Sequence, residues 1–273
     1  MMSREVFMYT SPCENICFSV DKLGIATIAL NRPEKLNALT IEMERGLGDL
    51  FELCSQDEQI RVVILTGEGK HFCAGGDIKK FKTRIDSGED MPTQGIRYMA
   101  RVSREIRRCK KPVIAKVNGA ASGAGCALAF ACDFRVLESR SKFSAGFTSM
   151  GFSGDTNGWY HLSRMVGMAK TTEFYMLAET WNAEKALELG VANYVADNGD
   201  LDRVAYDLAK KLANSPTLAL GYQKKMFQLL AYPDLDLLGE LEEAYMPACA
   251  RSQDHAEAVN AFLEKRPPQF TGK

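Results

Sequence analysis

Two glycine-rich segments hold the residues of this chain that are best suited to chemistry. They are residues 71–77, HFCAGGD, and residues 119–127, GAASGAGCA. Each follows a short β-branched run typical of a buried strand and leads into a more helical pattern. Backbone N–H groups left free at such turns can bind an anion or the oxyanion that forms at a carbonyl. Glycine at these turns can also serve tight backbone geometry alone, and neither segment matches a dinucleotide fingerprint or a P-loop.

Alternating strands and helices are predicted around these segments. Residues 17–20 and 25–30 indicate a hairpin, and Thr40 is a plausible N-cap for the helix that follows it. Further strands are predicted at residues 61–66, 112–117 and 133–137. This alternation favours an α/β core with parallel strand pairing.

Residues 1–200 are predicted to form this core, and residues 201–273 a C-terminal helical domain. Four helical patterns follow residue 201, at residues 203–212, 218–230, 235–246 and 255–264. Asp254 and Glu257 have the spacing of a capping box for the last helix. The polar segment 83–94, with its Asp, Ser, Gly and Glu residues, is a candidate for a mobile lid.

The composition excludes several classes of function. The 273 residues carry 34 basic and 35 acidic side chains, so no net charge attracts nucleic acid or an anionic membrane. The eight cysteines are scattered and are expected to be free thiols, and the three histidines lack metal-ligand spacing. The longest uncharged stretch, residues 117–132, is too short for a membrane helix, and no secretory signal is evident. A cytoplasmic protein without a metal is expected.

Five motifs in order resemble the enoyl-CoA hydratase/isomerase (crotonase) superfamily. The resemblance runs from about residue 15 to the end of the chain, and its motifs are residues 31–39, 72–79, 117–126, 131–134 and 188–192. It implies a spiral of ββα units followed by a helical domain that forms a homotrimer or a dimer of trimers. It also implies an acyl-CoA substrate, with coenzyme A as part of the substrate and no other cofactor.

The same resemblance assigns roles to individual residues. The backbone N–H groups of Gly76 and Ala124 would hold the thioester oxygen, which suits small residues because main-chain donors need no side chain. Coenzyme A would contact the backbone of Lys35 and Leu36. The other substrate-binding positions implied are Ala74, Asp77 and Ile78, with Phe262 and Lys265 reaching in from a neighbouring subunit. For Lys35 and Lys265, an ordinary solvated lysine is an equal alternative.

The chain departs from the hydratase pattern at two positions. Family hydratases use two glutamates, and the aligned positions hold Ala127 and Phe147, which can neither take a proton nor orient a water. Asp155 remains in the same region, at a position where family members with other chemistry, including dienoyl-CoA isomerases, place an aspartate. Asp155 is therefore the predicted catalytic acid-base group, with capping of the following helix as the alternative.

An apolar wall is predicted around Asp155. Phe147, Met150, Phe152 and Trp159 would form it, and burial there would raise the pKa of the Asp155 carboxyl. Phe147 and Trp159 are accordingly expected to contact the substrate. Two aromatic side chains are also compatible with a substrate that contains a ring.

Three functions remain open from the sequence. Double-bond isomerisation needs only one proton-transferring group and is the leading hypothesis, with Asp155 as the proton shuttle. The alternatives are hydration or hydrolysis of an unusual conjugated or cyclic acyl-CoA, and a non-catalytic acyl-CoA-binding protein. Dehalogenation is disfavoured because Ala100 stands where that chemistry needs a histidine base.

Overall fold

A seven-stranded sheet forms the centre of the computed structural model, which describes residues 6–8 and 11–273. Its strands are β1 (Val6–Met8), β2 (Ile16–Asp21), β3 (Ile25–Leu30), β4 (Val62–Gly67), β5 (Val113–Val117), β7 (Phe134–Glu138) and β10 (Tyr194–Ala196). They lie in the order β1-β2-β3-β4-β5-β7-β10. The first two pairings are antiparallel and every pairing from β3 to β10 is parallel. The predicted hairpin is β2 with β3, and the predicted parallel pairing is confirmed.

A smaller sheet lies beside the second glycine segment. It contains β6 (Ala120–Ser122), β8 (Lys142–Ser144) and β9 (Thr180–Asn182). Strand β6 pairs parallel with β8, and β8 pairs antiparallel with β9. Cys73 of the first glycine segment bridges to Ala121 of β6, so this small sheet joins the two segments.

Helices cover both faces of the large sheet and make up the end of the chain. A 3-10 turn, Pro33–Lys35, precedes them. The helices of the described chain are α1 (Ile41–Gln56), α2 (Ile78–Ser87), α3 (Thr93–Arg108), α4 (Ala124–Ala131), α5 (Gly146–Ser149), α6 (Gly158–Met176, kinked at Gly167), α7 (Ala183–Glu188), α8 (Leu201–Ala213), α9 (Thr217–Ala231), α10 (Leu235–Ala250) and α11 (Gln253–Glu264). None of them combines the length and apolar character needed to cross a membrane.

Strand β4 shows how the sheet is buried on both faces. Val63 and Leu65 point into the larger core cluster with α1, whereas Val62 and Ile64 point into a second cluster with α8. Helix α8 meets that second face through alanines four residues apart, including Ala205 and Ala209. Small side chains at this spacing let the helix lie close to the strands.

Two local predictions differ from the structure. The predicted lid, residues 83–94, is helical at residues 83–87, which belong to α2, and at residues 93–94, which begin α3. Asp77 caps the start of α2 by accepting the Lys79 N–H. The predicted capping box of Asp254 and Glu257 is wrong, since Ser252 caps α11 by accepting the His255 N–H at 3.0 Å. The Asp254 carboxylate instead accepts the backbone N–H groups of residues 271 and 272.

Candidate active site

The two glycine segments pack against each other through their backbones. Ala120 O accepts the N–H of Phe72 at 3.0 Å and that of Cys73 at 3.2 Å, and Cys73 O accepts the Ser122 N–H at 3.0 Å. A Cβ atom on Gly125 would lie 2.2 Å from Cys73 O. Only glycine permits this approach. Its role in tight backbone geometry, considered above as an alternative, is therefore the same role that lets the two segments pack together.

Two backbone donors face one cavity at this junction. Ala124 is the first residue of α4, and its N–H has no acceptor within the described chain; the same holds for the Gly76 N–H, just before α2. Both residues line the cavity. Gly75 has a φ of +81°, and a Cβ atom there would lie 3.3 Å from Ala124 N. The two loops are thus in close contact, and the residues that carry both free donors line the same cavity.

The cavity has a volume of about 320 Å³ and is lined mainly by apolar side chains. It brings together most of the site residues that the sequence predicted. Those that line it are Ala74, Gly76, Asp77, Ile78, Ala124, Phe147, Asp155 and Phe262. A space of this size and character suits an apolar group such as an acyl chain.

Four predicted residues lie outside the cavity wall. Lys35, Leu36 and Lys265 have exposed side chains, and the half-buried Trp159 ring packs against Tyr160 instead. Their predicted contacts with a substrate stay predictions. Phe262 lines the cavity of its own chain, whereas the resemblance implied that it reaches in from a neighbouring subunit.

Buried Asn37 holds the segment before α1 against the first glycine loop. Its side chain donates to Glu68 O at 2.9 Å and to His71 O at 2.8 Å, and its Oδ1 accepts the Arg32 N–H at 2.8 Å. The Ala74 N–H then donates to Leu36 O at 3.0 Å. Asn37 is fully buried and has a φ of +57°, which asparagine tolerates better than most residues. Although Asn37 belongs to one of the quoted motifs, its positioning role was not predicted from the sequence.

Asp155 sits in a turn with unusual backbone angles. Gly154, Thr156 and Asn157 all have positive φ, at 107°, 60° and 54°. Backbone of this kind is costly for residues other than glycine and is common at functional sites. The Asp155 Oδ1 accepts a hydrogen bond from Thr156 Oγ1 at 2.8 Å. The N-cap residue of α6 is Asn157, and its side chain makes no capping bond, so the capping role considered for Asp155 is wrong.

The surroundings of Asp155 favour its protonated form. Burial raises the pKa of the Asp155 carboxyl to about 6, and the Thr156 hydroxyl opposes this rise. Phe147 and Phe152 line the cavity beside it, as predicted, and both are buried. Behind the turn, Glu242 Oε1 accepts the Asn157 N–H at 2.8 Å, and burial raises the pKa of Glu242 to about 9. A carboxyl with a pKa near neutrality can both take and return a proton.

The two positions aligned with the hydratase glutamates have little room for a carboxylate pair. Ala127 is fully buried in α4, and a Cβ atom on Gly158 would lie 2.7 Å from the Ala127 Cβ. The Phe147 ring occupies the space between the second glycine loop and the Asp155 turn, 3.7 Å from a Cβ atom built on Gly123.

Glu44 is an acidic residue of the cavity that the sequence reasoning missed. It lies in the first turn of α1, where a glutamate is expected simply to complement the helix dipole. In the structure it lines the same cavity as Asp155. One signal could have revealed it: Leu47 and Phe51, three and seven residues later on the same helical face, are apolar and buried.

The side chain of Cys73, within the first glycine segment, is fully buried. Its thiol donates to Asn37 O at 3.3 Å, and its sulfur accepts the Gly75 N–H at 3.4 Å. Burial raises the pKa of this thiol to about 12. All eight cysteines are free thiols. In the part of the chain that the structure describes, no three His, Cys, Asp or Glu side chains are grouped to hold a metal ion.

Comparisons with known proteins agree with this geometry. The family profile described as enoyl-CoA hydratase/isomerase matches residues 21–273. A 1,2-epoxyphenylacetyl-CoA isomerase of Escherichia coli (strain K12) is 37% identical, over 95% of this chain and 99% of its own. A trans-2-decenoyl-[acyl-carrier-protein] isomerase of Streptococcus mutans is 28% identical, over 95% and 99% of the two chains. An enoyl-CoA hydratase structure from Mycobacterium avium subsp. paratuberculosis superimposes with a TM-score of 0.87 at 25% identity, covering 95% of this chain and all of the other.

Proposed function

The chain belongs to the enoyl-CoA hydratase/isomerase family and has the crotonase fold, and from that premise we propose that it is an acyl-CoA isomerase that moves a carbon–carbon double bond. The observation that carries this proposal is the position of Asp155. Its carboxyl lines the cavity into which the Gly76 and Ala124 donors face, and the aligned hydratase positions hold Ala127 and Phe147.

The proposed chemistry begins at the thioester carbonyl. The N–H groups of Gly76 and Ala124 would bind its oxygen and stabilise the enolate that forms when a neighbouring C–H bond breaks. Preorganised donors of this kind contribute about 10²- to 10³-fold each to the rate. The Asp155 carboxylate would take the proton, and its raised pKa suits this because a base is most useful near the working pH.

The remaining contacts of the substrate are part of the same proposal. The coenzyme A portion would run along Lys35, Leu36, Ala74, Asp77 and Ile78, while the acyl group fills the apolar cavity. Phe147 and Phe152 would contact the acyl group, so a ring substrate belongs in any assay alongside linear enoyl chains. The name of the Escherichia coli relative supports including a ring-containing thioester.

A trimeric assembly is also proposed. Helix α9 exposes a set of large apolar side chains, which are Leu218, Tyr222, Met226, Phe227, Leu229 and Leu230. A patch of this kind is typical of a subunit contact. Light scattering tests it, with a molar mass near three or six times 30.2 kDa expected and a monomer contradicting it.

The variant Asp155→Asn tests the proposed reaction. Turnover of 2-enoyl, 3-enoyl, dienoyl and ring-containing acyl-CoA thioesters is expected to fall about 10²- to 10⁴-fold, because the amide cannot take a proton. Acyl-CoA affinity is expected to stay within about threefold, since the N–H groups of Gly76 and Ala124 remain. Asp197→Asn, at an exposed position, is the matched control and should retain full activity.

Three results would contradict the proposal. Unchanged turnover in Asp155→Asn would exclude this carboxyl from the chemistry. Incorporation of ¹⁸O from labelled water into the product would identify hydration or hydrolysis in place of isomerisation. Tight acyl-CoA binding without turnover of any thioester in the panel would identify a binding protein.

A further inference from the structure

Helix α1 places the carboxyl of Glu44 inside the cavity. The buried face of α1 contains Met43, Leu47 and Phe51, and Glu44 lies beside this face rather than on the solvent side. Its side chain lines the cavity together with Gly76, Ala124 and Asp155. An acyl group bound in this cavity would therefore share it with the Glu44 carboxyl.

Glu44 is held there without a hydrogen-bond partner. Its Oε2 atom is buried and makes no hydrogen bond to any residue that the structure describes. Gly95 of α3 leaves the space that this oxygen occupies, since a Cβ atom on Gly95 would lie 2.8 Å from it. A buried polar atom that no protein group satisfies is costly, and such atoms concentrate where they act on a ligand.

The charges around Glu44 oppose one another. Lys80 and Arg84 of α2 favour its ionised form, whereas Glu42 of the same helix and Asp155 favour its protonated form. Burial is the largest effect and raises the pKa of Glu44 to about 7. Asp155 is buried as well, with a pKa of about 6. Its further titratable neighbours are Glu242 and Tyr175, and burial raises the pKa of both, which favours their neutral forms. Burial therefore raises the pKa of the Glu44 and Asp155 carboxyls toward neutrality, where each can take up and give back a proton.

We propose that Glu44 is the second acid-base group of this site, so that Asp155 and Glu44 each serve one end of the three-carbon unit across which the double bond moves. This inference rests on the proposed isomerase function. It divides between two carboxyls the proton transfer assigned above to Asp155 alone. Asp155 lies in the turn before α6 and Glu44 lies in helix α1. Two carboxyls on different elements suit two different carbons of the substrate's acyl chain.

The proton and electron balance of this step is complete without another reactant. One carboxylate takes a proton from carbon 2 or carbon 4, and the electron pair of that C–H bond moves into the conjugated enolate, with negative charge on the thioester oxygen. The other carboxyl, initially protonated, gives its proton to the opposite carbon as the double bond shifts. The two acids exchange protonation states during turnover, and proton exchange with solvent restores them.

Hydrogen exchange in D₂O separates the roles of the two acids. A 3-enoyl-CoA reports exchange at carbon 2, and its 2-enoyl isomer reports exchange at carbon 4. Each exchange needs only the acid that serves that carbon. The wild type, Glu44→Gln, Asp155→Asn and the exposed control Glu58→Gln would be compared by mass spectrometry and NMR, with isomerisation measured in the same samples.

A complementary pattern is expected. Glu44→Gln should lose about 100-fold in exchange at one carbon and keep the other within about threefold, while Asp155→Asn does the reverse. Both should lose isomerisation about 100-fold or more, and Glu58→Gln should match the wild type. Unchanged melting temperature and acyl-CoA affinity in Glu44→Gln would show that the fold and the binding site are intact.

Three outcomes would decide against the proposal or its premise. If Asp155→Asn loses both exchanges and Glu44→Gln keeps both, a single base carries the reaction and the proposal is overturned. If Glu44→Gln loses both exchanges, Glu44 acts on the site as a whole and the proposal is equally overturned. If the wild type neither isomerises nor exchanges any thioester, the isomerase function itself fails, which is a distinct result.

Discussion

Gly75→Ala is the substitution whose effect the structure defines most sharply. The φ of Gly75 is +81°, and the added Cβ would lie 2.7 Å from Ser122 O and 3.3 Å from Ala124 N. Both neighbours are backbone atoms of the second glycine loop, which cannot swing aside as a flexible side chain can. The methyl group is therefore expected to push the second loop, and the Ala124 donor with it, away from the first.

Two separate costs are expected from Gly75→Ala. The left-handed backbone conformation costs an alanine about 1–2 kcal/mol of folding free energy. Displacing the Ala124 N–H removes one donor from the thioester oxygen, which lowers kcat about 10²- to 10³-fold, or about 2.7–4 kcal/mol in the transition state. Acyl-CoA affinity should change much less, because the developing oxyanion depends on this donor more than the ground-state carbonyl does.

Gly190→Ala is the matched control for the backbone cost. Gly190 has a φ of +72°, and no heavy atom lies within 4 Å of a Cβ atom built on it. In urea titrations, the free energy of unfolding of Gly190→Ala should fall by a similar backbone cost, while its kcat should stay equal to that of the wild type. If Gly75→Ala keeps kcat within about threefold of the wild type, the two loops do not form one carbonyl-binding site. The hypothesis that both loops act in catalysis would then be refuted.

Three positions near the site provide further tests. Burial raises the pKa of Glu242 to about 9 in the folded protein, against an ordinary 4.5, so the free energy of unfolding should fall as pH rises between these values. Glu242→Gln should reduce this pH dependence, as measured by urea titrations at about pH 5 and about pH 9. Ala127→Glu should destabilise by more than about 3 kcal/mol in thermal unfolding and should gain no hydratase activity, because Gly158 closes the space around it. Gly95→Ala should stabilise α3 by about 0.5–1 kcal/mol, yet lower kcat about tenfold, since the methyl group displaces the Glu44 carboxyl.

Local patterns predicted most of the fold. The hairpin, strands β4, β5 and β7, and the four C-terminal helices follow from periodicity and turn residues that a short window contains. Helix α2 was partly missed because residues 83–87 are mostly polar, and the apolar contacts that support the helix, such as Phe81 on Phe152, come from distant parts of the chain. Periodicity therefore underestimates a helix that presents mostly polar residues.

The site divides in the same way. Gly76 and Ala124 were predictable because strand-to-helix glycine loops have a local signature, and Asp155 was found through its position relative to the family motifs. Glu44 was not, because its environment comes from α2, α3 and the Asp155 turn, which meet α1 only in the folded chain. A charged residue beside an apolar helical face was the one local signal of this burial.

The thiol of Cys73 lies within hydrogen-bonding distance of a loop proposed to activate a thioester. A cysteine thiolate at that point could attack the activated carbonyl and transfer the acyl group from coenzyme A to the protein, which would end turnover. With a pKa of about 12, only about one Cys73 thiol in 10⁵ is ionised at pH 7. Burial of the Cys73 sulfur therefore keeps this thiol protonated. A variant that admits water to the sulfur is expected to be acylated slowly by an acyl-CoA, which intact-protein mass spectrometry would detect as acyl adducts.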